Sequence, residues 1–249
     1  MSATLIIILG AVVAGFVQGL SGFTFGLVAT SIWIWVVEPQ LLASMVVFGA
    51  LTGQILAVFS VRRGFSWKLL WPYLAGGLIG IPLGVAILPR LDVDLFKVLL
   101  GTLLAIWCPI MLFSSRLPPI RIGGAPMNAV IGLFGGVMSG TGGYSGVIPT
   151  LWCALRRYEK DSQRAIIQNF NLATLGVTMA TYVATGITTA RMLPTFAIIL
   201  PAMLVPTLIG TRVYIGISET TFRQIILVLL TISGVVMLGT SLPHLLTRA

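Results

Sequence analysis

Residues 132–149 read GLFGGVMSGTGGYSGVIP. The stretch is apolar at both ends and interrupted in the middle by Ser139-Gly140-Thr141-Gly142-Gly143. A helix carries a single glycine at modest cost, but three within four residues, flanked by hydroxyls, are expected to end it. The surrounding sequence is apolar with no soluble flank, so the expectation is a helix broken inside a membrane. Irregular backbone is excluded from lipid, so such a break must be buried in protein or line a cavity. A break of that kind is a place to bind a ligand.

The same pattern recurs 121 residues earlier, where Gly15-Phe-Val-Gln-Gly-Leu-Ser-Gly-Phe-Thr24 lies under Gly136 to Ser145. Three glycines, an aromatic residue and the hydroxyl after it coincide. Further on the offset becomes 126: Gly84 falls under Gly210, Phe96 under Phe222, and Lys97 under Arg223. Two halves that each open on a broken apolar segment form the internal repeat found in many transporters. The chain divides accordingly into a first repeat, 1–113, a linker, 114–126, and a second repeat, 127–249, within one transmembrane domain, 1–249.

Composition sets the class. Hydrophobic residues make up 57% of the chain, charged residues only 8%, and mean hydropathy is +1.05. A soluble domain carries about 25% charged residues. The fold class is therefore an all-α polytopic membrane protein. The net charge of +9 does not point to nucleic acid, because the basic residues sit between apolar runs as cytoplasmic loops do. Cys108 and Cys153 have neither metal-ligand spacing nor an obvious disulfide role, and no metal or cofactor is expected. The opening Met-Ser-Ala-Thr lacks the basic region of a signal peptide, so the first apolar segment is expected to be retained.

The first apolar run, Ala3 to Val37, covers 35 residues. As one helix it would be about 52 Å long against a hydrocarbon core of about 30 Å. Split at Gly19–Gly22 it gives two arms of about 16 residues each, about 24 Å, each a little short to cross. A hairpin that dips in and returns fits. Full spans follow at Leu41–Val61, Leu69–Leu88 and Leu95–Phe113, then the second broken segment at Met127–Leu155, then Ala165–Ile187, Met192–Ile209 and Phe222–Leu242. Trp67 and Trp71 take interfacial positions, and Pro201 and Pro206 predict a kink. Gly76, Gly80 and Gly84 make a face for close helix approach, read as packing within the subunit, with a homodimer contact as the alternative.

Charge decides the threading. If each broken segment crossed once, Lys and Arg would be almost evenly split between the two sides. If each is a re-entrant hairpin, one side carries Arg62, Arg63, Lys68, Arg116, Arg121, Arg156, Arg157, Lys160, Arg164, Arg212 and Arg223; the other carries Arg90, Lys97, Arg191 and Arg248. That asymmetry satisfies the positive-inside rule. The expectation is two inverted repeats, each a broken, re-entrant hairpin followed by three transmembrane helices, 8 to 10 helical segments in all. Very short helices that do cross in pairs leave the charge assignment unchanged. The protein is expected in the bacterial inner membrane, basic loops cytoplasmic and both termini outside.

The two tips are expected to meet near the midplane. They would present Gln18, Ser21, Gly22 and Thr24 from the first half, and Ser139, Thr141, Gly142, Gly143 and Ser145 from the second. Gln54, Gln168, Asn169 and Asn171 would add neutral groups from neighbouring spans. Each tip leads into the N-terminus of a half-helix, with its partial positive charge and free N–H donors, which favours a small anionic substrate. No Asp or Glu lies deep in a span, whereas a proton or sodium relay normally uses one. An anion leaving a negative-inside cell is driven by about 2.3 kcal/mol per charge per 100 mV. The composition leans towards anion export, with coupled uptake left open. Gly, Ser and Thr also serve packing in membrane helices, and Asn169 and Asn171 are open to a plain cross-helix role.

At these motifs the chain resembles the sulfite exporter TauE/SafE family, also called the toluene sulfonate uptake permease family. The similarity rests on length, on two glycine-broken repeats, and on Ser139-Gly-Thr-Gly-Gly-Tyr-Ser-Gly-Val-Ile-Pro149 followed by a basic loop. It implies transport of small sulfur-containing anions such as sulfite, sulfoacetate or other organosulfonates. It also implies that polar residues early in the span after each tip line the pathway: Gln168 and Asn169 in the second half, against the mostly apolar Ser44-Met45-Val46 in the first. A passive anion channel would use the same residues, and a subunit without transport of its own is a further alternative. Gly143-Tyr-Ser-Gly146 also matches the G-x-S-G of rhomboid proteases, but the sole histidine, His244, lies beyond the last expected span. An enzyme is not expected.

Overall fold

The computed structural model describes residues 2–22, 24–58, 66–120, 123–212 and 219–248. Arg62, Arg63 and Arg121 of the charge count lie outside them. Among the described residues there are ten α-helices: α1 (Ala3–Ser21), α2 (Phe25–Trp33), α3 (Pro39–Val58), α4 (Trp67–Ile87), α5 (Val93–Leu112), α6 (Ala125–Gly142), α7 (Val147–Leu155), α8 (Lys160–Ala184), α9 (Leu193–Arg212) and α10 (Glu219–Arg248). Six of them are long and apolar enough to cross a membrane: α1, α3, α4, α5, α9 and α10. The chain is an all-α, multi-pass membrane protein.

Both broken segments are hairpins. α2 folds back along α1 until the Trp33 indole donates to the Ile7 carbonyl oxygen at 3.1 Å. α7 folds back along α6 until the Trp152 indole donates to Asn128 Oδ1 at 2.9 Å. The arms are unequal, not the matched pair expected for the first segment: 19 and 9 residues in the first, 18 and 9 in the second. The reason lies in where the helices stop. α1 runs through Gly19 and α6 through Gly140 and Gly142; each ends only at its last glycine, Gly22 or Gly143, in the left-handed region at φ 83° and 79°. Packing overrides the intrinsic cost of the earlier glycines.

That packing is backbone against backbone. Gly76, Gly80 and Gly84 of α4 sit on the Ala129, Leu133 and Val137 carbonyls of α6. Gly132, Gly136 and Gly140 of α6 sit in return on Tyr73, Gly77 and Ile81 of α4. The glycine face is thus used within the chain. α1 meets α9 in the same way: a Cβ on Gly15 would lie 2.7 Å from the Met203 carbonyl oxygen, and Gly19 and Gly210 face each other. Each hairpin is therefore held by a helix of the other half. α5 and α10 pair with one another, and α3 packs against α8.

Polar ends fix the margins. Asp92 caps α5 by accepting from Leu95 N at 2.7 Å, and Lys97 lies 4.7 Å over the Trp35 ring beside the mouth of the first hairpin. At the opposite end Ile120 N donates to the Leu155 carbonyl oxygen at 3.0 Å, and Arg156 stacks between Trp152 and Tyr158. Cys108 and Cys153 are both buried free thiols. α10 continues past the expected Leu242 and includes His244.

Candidate functional site: two hairpin tips read by one helix face

α8 is as long as a membrane span, at 25 residues, yet is not among the six apolar helices. The cause is one polar face. Gln168, Asn171, Thr174, Thr178 and Tyr182 are all buried and recur every three to four residues, so they share a side. That side touches both tips. Gln168 Nε2 abuts Gly22, Asn171 accepts from Ser145 Oγ at 2.9 Å, Thr178 bonds Ser139 at 2.8 Å, and the Tyr182 hydroxyl donates to the Gly140 carbonyl oxygen at 2.8 Å.

The first tip closes on itself through Gln18. Phe25 N can only donate and the Gly22 carbonyl can only accept, so both ends of the Gln18 amide are assigned. Oε1 takes Phe25 N at 3.0 Å and Nε2 gives to Gly22 O at 3.2 Å. Gln54 of α3 adds a second donor to Gly22 O at 2.8 Å. Ser21 Oγ gives its proton to the Val17 carbonyl oxygen and therefore accepts from Thr24. Phe25 fills the space left by Gly49.

The second tip is held from three directions. The Trp107 indole of α5 donates to the Val147 carbonyl oxygen at 2.8 Å. Asn171 holds Ser145 and crowds Gly146, where a Cβ would lie 2.7 Å from Asn171 Nδ2. Thr30 Oγ1 of α2 spends its proton on Gly26 O, so the Tyr144 hydroxyl donates to Thr30, at 2.8 Å. This last bond ties the second tip to the return arm of the first hairpin. Tyr144→Phe is expected to remove it at a cost of about 1 kcal/mol. The checking measurement is a thermal melt in detergent.

The start of α2 lies against the second tip, where a Cβ on Gly26 would come 3.3 Å from the Gly143 carbonyl oxygen. Gly22 lies at the level of Gln54 on α3, whereas Gly143 lies against Val46 and Val47. Of the residues read from sequence, Gln18, Ser21, Gly22, Thr24, Gln54 and Gln168 form the first cluster. Ser139, Gly142, Gly143, Ser145 and Asn171 form the second. Thr141 bonds back to Met138 O at 3.2 Å, and the Asn169 amide turns onto Ala165 O of its own helix at 2.7 Å. Neither hydrogen bond reaches across to another element. Ser44, buried and bonded to Thr188, belongs to the far end of α3. Thr30, Trp107, Thr178 and Tyr182 were not singled out. For Thr178 and Tyr182 the helical period running on from Gln168 was the available signal; for Thr30 and Trp107 there was none.

A family model described as sulfite exporter TauE/SafE matches residues 7–237, from the third residue before Gly10 to the last turns of α10, with both tips inside the match. The chain belongs to the sulfite exporter TauE/SafE family. No curated protein and no solved structure matches it. Membership implies a membrane transporter of sulfur anions, and the two clusters of this TauE/SafE chain are where buried polar groups gather at broken backbone.

Proposed function

We propose that the protein exports a small sulfur-containing anion, such as sulfite, sulfoacetate or another organosulfonate, by alternating access past the two hairpin tips. The observation that carries this reading is the polar face of α8, which spans from Gly22 to Gly140 and contacts both breaks. The return helices α2 and α7 both start at the breaks; Gln18 Oε1 takes only Phe25 N of α2, and the residue before α7 gives no side-chain cap. Their N–H groups and partial positive charge favour an anion there. Gln18, Ser21, Gly22, Thr24, Gln54 and Gln168 at the first break, with Ser139, Gly142, Gly143, Ser145 and Asn171 at the second, are the binding residues in this reading.

The exchanged pairing of helices, α1 with α9 and α4 with α6, supports inverted repeats over 1–113 and 127–249. Under that threading Lys68, Arg116, Arg156, Arg157, Lys160 and Arg164 gather at one end of the bundle, which the positive-inside rule makes cytoplasmic, in a bacterial inner membrane with outer termini. Two hairpin-plus-helix units, each zipped by glycines, give rigid bodies that rock around α3 and α8. Ser145 is bonded to an amide, and His244 lies at the exposed end of α10, an arrangement that favours transport over serine hydrolysis.

The test is flux of radiolabelled sulfite and sulfoacetate in proteoliposomes, under an imposed potential of either sign and without a pH gradient. Saturable efflux that follows the potential is expected. Non-saturating flux would replace the carrier with a passive channel, and flux against the potential would indicate an uptake permease.

A further inference from the structure

α5 and α10 pair with one another, and at one end of the pair lies a groove of about 360 Å³. Leu112 and Phe113 line it from the end of α5, Arg116 from the 3-10 turn that follows, and Gln224 and Val228 from α10. Hydropathy sets its depth. Leu112 is the last residue of the apolar stretch of α5, and Gln224 is the first of the apolar stretch of α10. The groove therefore stands where hydrocarbon gives way to headgroups.

Its lining divides in the same way. Phe113 and Val228 are 49% and 43% exposed, and about one turn further into the membrane Ile110 and Ile232 are exposed on the same helix faces. Acyl chains cover such a surface. Arg116 and Gln224 supply the polar side. The Arg116 guanidinium lies 5.7 Å over the Phe113 ring, a cation–π contact that steadies it. Among the described residues no acidic side chain pairs with Arg116, and the Gln224 amide has no partner. The guanidinium keeps N–H groups to fork onto two oxygens of one phosphate, and the amide adds a further donor. A cation and an amide beside an apolar wall fit a ligand with an oxyanion head and an apolar body. A free anion would leave the apolar wall uncovered, and a zwitterionic head would bring its own cation up to Arg116.

We propose that this groove binds the phosphate of an anionic phospholipid, whose chains then run along α5 and α10. The proposal goes beyond the transport reading and does not rest on it. Under the threading above, the groove faces the cytoplasmic leaflet, whose anionic lipids attract Arg and Lys.

The experiment is native mass spectrometry of the purified, delipidated full chain in detergent, titrated with phosphatidylglycerol or with phosphatidylcholine of the same acyl chains. One phosphatidylglycerol is expected to bind per chain at concentrations where phosphatidylcholine does not. Arg116→Ala should weaken this first binding step about tenfold, the loss of one charge-assisted contact. Arg164→Ala, which removes the same charge from an exposed position on α8, should leave it unchanged. Gln224→Glu should weaken it too, by setting a carboxylate against the phosphate. Arg116 and Gln224 are both exposed, so these variants are expected to fold. Equal binding of the two lipids, or equal losses in Arg116→Ala and Arg164→Ala, would overturn the proposal. Displacement of the bound lipid by an excess of inorganic phosphate would also overturn it, and would give the groove to a free anion.

Discussion

Gly80→Val should leave little correctly folded protein. A Cβ at this position overlaps the Leu133 carbonyl oxygen and lies 2.8 Å from Val137 N. Both are backbone atoms of α6, so no rotamer relieves the clash, and α4 and α6 must move apart. Overpacking a core ordinarily costs about 1–3 kcal/mol, and here the separation also strips the glycine contacts above and below. α6 carries the second hairpin, so the loss reaches Ser139 and Ser145 as well. The expected result is a fall in melting temperature large enough to lose the monodisperse peak in detergent. Gly176→Ala and Gly239→Ala are the controls, since a Cβ at either meets nothing within 4 Å. Both should melt at or slightly above the wild-type temperature, in the direction expected when alanine replaces glycine inside a helix. If Gly80→Val were as stable as these controls, the backbone contact between α4 and α6 would be wrong.

Asn171→Ala should cost the most in transport among single polar substitutions. Its Oδ1 accepts the Ser145 hydroxyl, which is 1% exposed, and its amide wedges against Gly146 at the entrance to α7. Removing it strands a buried donor, worth about 1–3 kcal/mol, at the place where the return helix begins. If that disorder falls on the substrate site, flux drops by about ten- to a hundredfold. Asn169→Ala, two residues away, should be close to wild type, because its amide is spent on Ala165 O of the same helix. The pair separates a site role from a general effect of polar residues on α8. Sulfite flux in proteoliposomes reads it, and equal losses in the two variants would remove the second cluster from the pathway.

The contrast between these asparagines also shows what was legible beforehand. Both stand out equally in Gln168-Asn-Phe-Asn171, and only the 100° per residue between successive positions, fixed against a particular neighbour, tells them apart. The hairpins were legible because glycine and hydroxyl clusters interrupt apolar runs too long for one span. Their arm lengths were not, since Gly19, Gly140 and Gly142 look like breakers in isolation. They stay helical because another backbone sits where a side chain would have been. Gln54 was read as a neutral group on a neighbouring span, and its accepting and donating ends were assigned only once Gly22 was seen beside it.

The pairing of α1 with α9 has a consequence for biogenesis. Thr207 donates to Gly15 O across a sequence separation of 192 residues. At about 5–20 residues per second, the ribosome needs about 10–40 s to supply that partner. Throughout that interval the first hairpin, with its glycine groove and buried amides, waits in the bilayer without the surface that completes it. Its break cannot be left facing lipid, so early in synthesis the segment must be chaperoned by the insertion machinery or held in some other arrangement. The native hairpin is therefore completed late, by a partner made 192 residues further along the chain.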